Sequence, residues 1–223
     1  AGAYEAEIPE EEPIQESEDC LRLNVYSPDL NPKEKAPVMF WIHGGALRYG
    51  SGDVYLPDGI VPKGNVLVTI NYRLGELGFF AHPSINDSDQ NYKTNFGLLD
   101  QIKASHWVKE NIENFGGDPS NVTIFGESAG GFSVAALLVT PPSEGLFHKA
   151  IVQSGGFARM ALHSSDDSNN GYSASDLGTR FGELCDIPTG PDQLKNMRDL
   201  PVEKIIDVGK IGFSSSFFVD GKS

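Results

Sequence analysis

The chain has 223 residues, 39% of them hydrophobic and 22% charged, and carries a formal net charge of −14. That length is enough for one or two domains with a sizeable core. The composition is that of a soluble globular protein, and the acidity argues against nucleic acid as a partner, because phosphate binding needs a basic surface. No apolar run approaches the ~20 residues of a membrane span. Two cysteines and five scattered histidines supply neither a disulfide framework nor metal-ligand spacing, so no metal is expected.

Residues 1–16 are acidic and Pro-bearing and read as an irregular surface segment. They lack the basic and apolar regions of a signal peptide. Leu21, Leu23 and Val25 then alternate with polar residues, as in a half-buried strand. Four continuous apolar runs follow: Val38–Ile42, Val66–Ile70, Val122–Phe125 and Ala150–Val152. Such runs fit strands of a parallel sheet covered on both faces. Between them, Ala104, Val108, Ile112 and Phe115 mark one face of a helix ending near Gly116-Gly117. Phe132, Ala135, Ala136 and Val139 mark another, stopped by Pro141-Pro142. His163–Asp176 reads as a polar loop. Leu177, Phe181 and Leu184 then predict a helix, as do Val202, Ile205 and Ile206. Strands alternating with helices imply a three-layer α/β domain with a mostly parallel central sheet and helices on both faces.

Gly126-Glu127-Ser128-Ala129-Gly130 matches G-x-S-x-G. This pattern marks a nucleophile elbow when it follows a strand and opens a helix, and both conditions hold here. Gly126 and Gly130 relieve crowding at the sharp turn, and the N-terminus of the following helix favours developing negative charge. The simpler role for Ser128 is that of a helix cap. His43-Gly44-Gly45-Ala46 follows the strand Val38–Ile42. Backbone N–H groups of such a glycine loop, with that of Ala129, are the expected oxyanion donors, and losing one such donor costs roughly 2.7–4 kcal/mol.

The stretch Trp107–Gly131 resembles the signature of the type-B carboxylesterase and cholinesterase family. So do Ser17–Leu21 with Leu23–Val25, Asn71–Gly75 followed by Leu77–Phe79, and Gly97–Gln101. Gly145–His148, Gln153–Gly155 and Val219–Gly221 also match, in family order across nearly the whole chain. The resemblance implies an α/β-hydrolase fold, incomplete here, with residues 1–223 forming part of that domain. It implies hydrolysis of small carboxylic esters without a cofactor, with Ser128 as nucleophile and Gly45, Ala46 and Ala129 as oxyanion donors. Gly44, Gly126 and Gly130 support them, and Glu127 matches an acidic residue that tunes the electrostatics of the catalytic histidine. Ala46 departs from the commoner third glycine. Asn71, Arg73 and Asp100 match scaffold positions.

Cys20 matches a cysteine that in many members pairs upstream of this sequence. Cys185 matches the first cysteine of a second family loop, but Asn196 stands at the partner position, so that disulfide is expected to be absent. Asn86-Asp87-Ser88 is a glycosylation sequon and leans toward secretion, whereas Asn121-Val122-Thr123 enters a strand. The family order is Ser, then acid, then His. By the resemblance, the acid and histidine lie outside this chain, so the chain alone is expected to be nearly inert. Removing a triad histidine costs roughly 10⁶ in kcat. His148 matches scaffold, and His163 stands beside Asp166 and Asp167 in the polar loop. A non-catalytic adhesion-type relative and an interfacial lipase are the alternatives to an esterase.

Overall fold

The computed structural model describes residues 16–88, 94–156, 163–164, 173–210 and 217–219. Strands β1 (Leu23–Tyr26), β2 (Ala36–Ile42) and β3 (Val66–Ile70) come first. Helices α1 (Gly75–Gly78), α2 (Pro83–Ser88) and α3 (Phe96–Asn111) follow. Next are β4 (Gly117–Glu127), α4 (Ala129–Leu137), β5 (Lys149–Gln153) and β6 (His163–Ser164). Helices α5 (Ala174–Leu184), α6 (Gln193–Arg198) and α7 (Val202–Gly209) precede β7 (Phe218–Val219). The main sheet has the order β1-β3-β2-β4-β5. β1 is antiparallel to β3, and the other three pairings are parallel.

Alternation along the strands separates two faces. Val38, Phe40 and Ile42 of β2, Val66, Val68 and Ile70 of β3, and Val122 and Ile124 of β4 join one buried cluster. Leu98, Ile102 and Val108 of α3 and Val134 and Leu137 of α4 complete it. On the other pleat, the Trp41 ring lies 4.9 Å from Tyr55 and 4.7 Å from Phe125. Phe181, Cys185, Ile187, Met197 and Val208 form a second, smaller cluster, with Phe80 packed against it.

The chain runs from β2 to β3 on one side and later from β4 to β5 on the other. The direction therefore reverses between β2 and β4. In open parallel sheets, ligands bind at such a reversal, outside the carboxyl ends of the strands. Ile42 at the end of β2 is register partner of Gly126 near the end of β4. The glycine loop and the G-x-S-x-G turn thus leave the sheet side by side.

Several elements depart from the sequence reading. β5 is not a covered central strand: it is the edge strand among the described residues, and all five of its residues are exposed. An apolar run reports a preference for burial, while strand pairing decides whether burial is reached. α4 ends at Leu137, and Val139 is 68% exposed. Nearly every α4 residue is buried, so its apolar residues have no single face to mark. α3 gives way to a 3-10 turn over Ile112–Phe115, closed by Gly116 with φ 79°. α5 turns Leu184 outward and buries Gly178 and Gly182 instead. A Cβ at Gly178 would stand 1.8 Å from the Ala81 carbonyl oxygen, so close approach, not side-chain size, selects that face. The predicted loop also overshoots: Ser173 and Asp176 form a reciprocal capping box that starts α5.

Both cysteines are free thiols, Cys185 within the smaller cluster, and burial raises the pKa of each. The sequon at Asn121 lies in β4, where Val122 and Thr123 are buried and Asn121 Oδ1 accepts from Lys149 Nζ at 2.7 Å. The sequon at Asn86 closes α2.

Scaffold polarity is concentrated at Asp100. Its carboxylate accepts from the Arg73 backbone N–H (3.0 Å), Nε (2.8 Å) and Nη2 (2.7 Å). The Asp100 side chain is 7% exposed and that of Arg73 37%. In Asp100→Ala the cation can still reach water, so the loss is that of charge-assisted hydrogen bonds rather than of a stranded charge. We expect about 2 kcal/mol of destabilisation, read from the urea midpoint.

Candidate active site

β4 ends in a backbone that few residues adopt. Ser128 has φ 54° and ψ −119° and directly precedes α4. Holding a non-glycine residue there costs of order 1–3 kcal/mol. The turn is bought by two close approaches. A Cβ at Gly126 would lie 2.6 Å from the Gly130 carbonyl group, and one at Gly130 would lie 2.0 Å from the Ile42 carbonyl oxygen. Ser128 N–H donates to the Gln153 carbonyl at 2.9 Å, which ties the turn to β5. The Ser128 side chain makes no capping hydrogen bond, so the serine does not serve as the cap that its position allows. Glu127 is exposed, Ser128 half-buried and Ala129 buried.

The glycine loop stands against this turn. A Cβ at Gly44 would meet the Glu127 carbonyl oxygen at 2.8 Å and Ser128 Cβ at 3.3 Å. Gly45 (φ 106°), Ala46 (φ 54°) and Leu47 (φ 60°) all have positive φ. The Gly45 carbonyl accepts from the N–H groups of Arg48 (2.9 Å) and Tyr49 (3.1 Å), and the Leu47 carbonyl from Gly75 N–H (2.7 Å). The N–H groups of Gly45, Ala46 and Ala129 donate to no backbone carbonyl among the described residues. Gly45 and Ala46 follow the glycine that packs on the Ser128 turn, and Ala129 opens α4 at its positive end.

His43 is sealed beneath the loop, 1% exposed, with its ring stacked 4.5 Å from that of Tyr72. Its Nδ1 lies 2.7 Å from the Gly44 carbonyl oxygen, so Nδ1 carries the proton and donates. Its Nε2 is buried without a partner among the described residues. Tyr72 Oη donates to the His43 carbonyl at 2.8 Å, and burial pushes the phenol pKa well up. Burial likewise lowers the His43 pKa below 6.5, while the bond to Gly44 pulls the other way. The unfolded chain therefore binds more protons as pH falls through 6.5, and stability drops from there toward the folded-state pKa. We expect the melting temperature to fall less between pH 7.5 and 5.5 in His43→Gln than in the parent, by thermal unfolding at both pH values.

The remaining histidines stand elsewhere. Val122 N–H donates to His148 Nδ1 at 3.2 Å. Val122 precedes Ser128 by six residues of β-strand, or roughly 20 Å. His82 pairs with Gln193 Oε1 at 3.0 Å, and His106 lies on the exposed side of α3. His163 is in β6, and its neighbours Asp166 and Asp167 lie outside the described residues. Sequence reasoning missed Tyr72, Gln153 and Arg48 as supports of the site. The first two sit in matched family stretches, whereas nothing in the sequence signalled Arg48.

Comparison with known proteins points the same way. The model of the carboxylesterase family matches residues 3–222. The chain is 48% identical over 178 residues to a para-nitrobenzyl esterase of Bacillus subtilis, covering 78% of this chain and 35% of that protein. It is 52% identical over 158 residues to carboxylesterase 1D of Rattus norvegicus, covering 69% of this chain and 27% of that protein. A solved Geobacillus stearothermophilus carboxylesterase superposes with a TM-score of 0.81 at 38% identity, over 92% of this chain and 42% of that one. The match thus spans about a quarter to a third of the length of these curated relatives.

Proposed function

This chain belongs to the carboxylesterase family, and from that premise we propose that it supplies the nucleophile and oxyanion donors of a carboxylic ester hydrolase. Ser128 Oγ attacks the ester carbonyl carbon as its proton passes to a general base. The carbonyl oxygen takes up the negative charge and is held by the N–H groups of Gly45, Ala46 and Ala129. Collapse breaks the bond to the alcohol oxygen, which leaves with the proton, and the acyl group stays on Ser128. Water, deprotonated by the same base, then releases the acid and restores the hydroxyl. The base is a histidine outside these residues, oriented by an acid. Gly44, Gly126 and Gly130 keep the two turns close, and Glu127 contributes negative charge near that histidine. Residues 1–223 act as one part of an α/β-hydrolase domain.

The observation that supports this most directly is the Ser128 turn. A strained serine, free of capping duty, stands at the sheet's reversal point against a loop whose Gly45 and Ala46 N–H groups donate to no backbone carbonyl among the described residues.

The test is intact-mass analysis after incubation with an organophosphonate ester. One sample is the chain alone. The other is a chimera in which the chain replaces the matching part of the Bacillus subtilis para-nitrobenzyl esterase. No adduct on the chain and one adduct at Ser128 of the chimera are expected. Rapid labelling of the chain alone would place the base within it. A chimera that folds and stays unlabelled would favour a non-catalytic, partner-binding relative.

A further inference from the structure

Three connections converge on the loop that follows β2. The Leu47 carbonyl accepts from Gly75 N–H, at the start of α1, at 2.7 Å. The Arg48 guanidinium donates through Nη2 to the Gly209 carbonyl, at the end of α7. The Arg48 backbone N–H donates to the Gly45 carbonyl at 2.9 Å. One residue therefore joins the loop's internal turn to a distant helix, 161 positions away in sequence.

The fourth member is Glu76 on α1. Its carboxylate occupies the space beside Gly209, where an added Cβ would stand 2.3 Å from Oε2. Burial raises the Glu76 pKa, and the positive charge of Arg48 pulls it back. The guanidinium thus meets the carbonyl end of α7, the negative end of a helix, and the Glu76 carboxylate of α1 packs against the same residue, Gly209. The loop needs such an anchor. Three consecutive residues hold positive φ, and Ala46 and Leu47 each do so at about 1–2 kcal/mol without the freedom of glycine. Two N–H bonds to the Gly45 carbonyl close the turn, and the Leu47–Gly75 and Arg48–Gly209 bonds tie it to α1 and α7.

We propose that Arg48 is a positioning residue for the oxyanion loop, clamping it to the C-terminal end of α7 so that the Gly45 and Ala46 N–H groups keep their aim. This rests on the reading of those N–H groups as oxyanion donors. Arg48 acts through the backbone and does not touch the reacting atoms. α7, outside the sheet, thereby becomes part of what holds the site in shape.

The test uses Arg48→Met, which keeps the apolar stem and removes the donor, and Arg48→Lys, which keeps a charged donor. In the 223-residue chain, amide hydrogen exchange is followed at residues 48 and 49, whose N–H groups are bonded to Gly45. Protection is expected to fall at least ~10-fold in Arg48→Met and to recover largely in Arg48→Lys. Steady-state ester hydrolysis by the chimera, at a temperature well below melting, should then show kcat down ~10-fold or more with KM nearly unchanged, since small misplacement of donors costs that order. Unchanged protection in Arg48→Met would overturn the clamp. Lost protection with unchanged kcat would overturn the positioning role. If Ser128→Ala turns over ester as fast as the parent, the esterase reading itself fails, which the exchange result does not depend on.

Discussion

Ser128→Ala is expected to lower ester turnover by roughly 10⁶-fold in the chimera that supplies a base, with the fold intact. The reasoning is local. The hydroxyl leaves a half-buried position at which it makes no capping bond, so no structural partner is stranded. The backbone conformation is the remaining concern, because alanine, like serine, must hold φ 54°. That strain is common to both residues, so the melting temperature should change little. Whatever turnover survives measures the oxyanion donors and binding alone, of order 10³–10⁴ over water. Substrate KM should stay within a few-fold, because the serine bonds to the carbonyl carbon only during reaction. A loss below about tenfold would mean that Ser128 is not the nucleophile.

Gly130→Ala is expected to be strongly damaging for a change of a single methyl group. Its Cβ would stand 2.0 Å from the Ile42 carbonyl oxygen and 2.9 Å from that of His43. Both contacts are backbone atoms of β2 and its exit, so neither can swing aside as a side-chain tip would. Either α4 moves away from the sheet or β2 bends, and both movements separate the glycine loop from Ser128. We expect about 3 kcal/mol or more of destabilisation, at the upper end for overpacking. Turnover should fall together with stability, since the same shift opens the site. Gly59→Ala is the control: nothing lies within 4 Å of its Cβ and its φ is not positive, so it should stay within about 0.5 kcal/mol. Equal urea midpoints for the two variants would contradict the packing argument.

These expectations also show which parts of the molecule were readable early. Gly126-Glu127-Ser128-Ala129-Gly130 and His43-Gly44-Gly45-Ala46 could be picked out because their chemistry demands small residues at fixed offsets from a strand. The buried stretches of β2, β3 and β4 were legible because both faces are covered there, so apolar residues run almost without a break. Where the environment was less symmetric, the reading slipped. β5 carries Ile151 and Val152 yet is exposed, because only β4 pairs with it among the described residues. α5 is oriented by Gly178 and Gly182, whose lack of a side chain is invisible to hydrophobic periodicity.

The amino-acid sequence by itself determined the family, the parallel α/β plan and the identity of the candidate nucleophile and its glycine loop. The family follows from the resemblance of its matched stretches; the rest follows from local patterns whose physical causes lie within a few residues, namely apolar runs, caps, and turns that glycine relieves. The tertiary structure alone decided that these two motifs meet. Ile42 and Gly126 are register partners across a parallel pairing, although β3 and three helices separate them along the chain. It alone decided that His43 is sealed against Tyr72 rather than free to act as a base. It alone brought Arg48 to the end of α7. Long-range contacts of this kind arise from strand order and helix packing, where a residue's partner depends on the path of the whole chain and not on its neighbours in sequence.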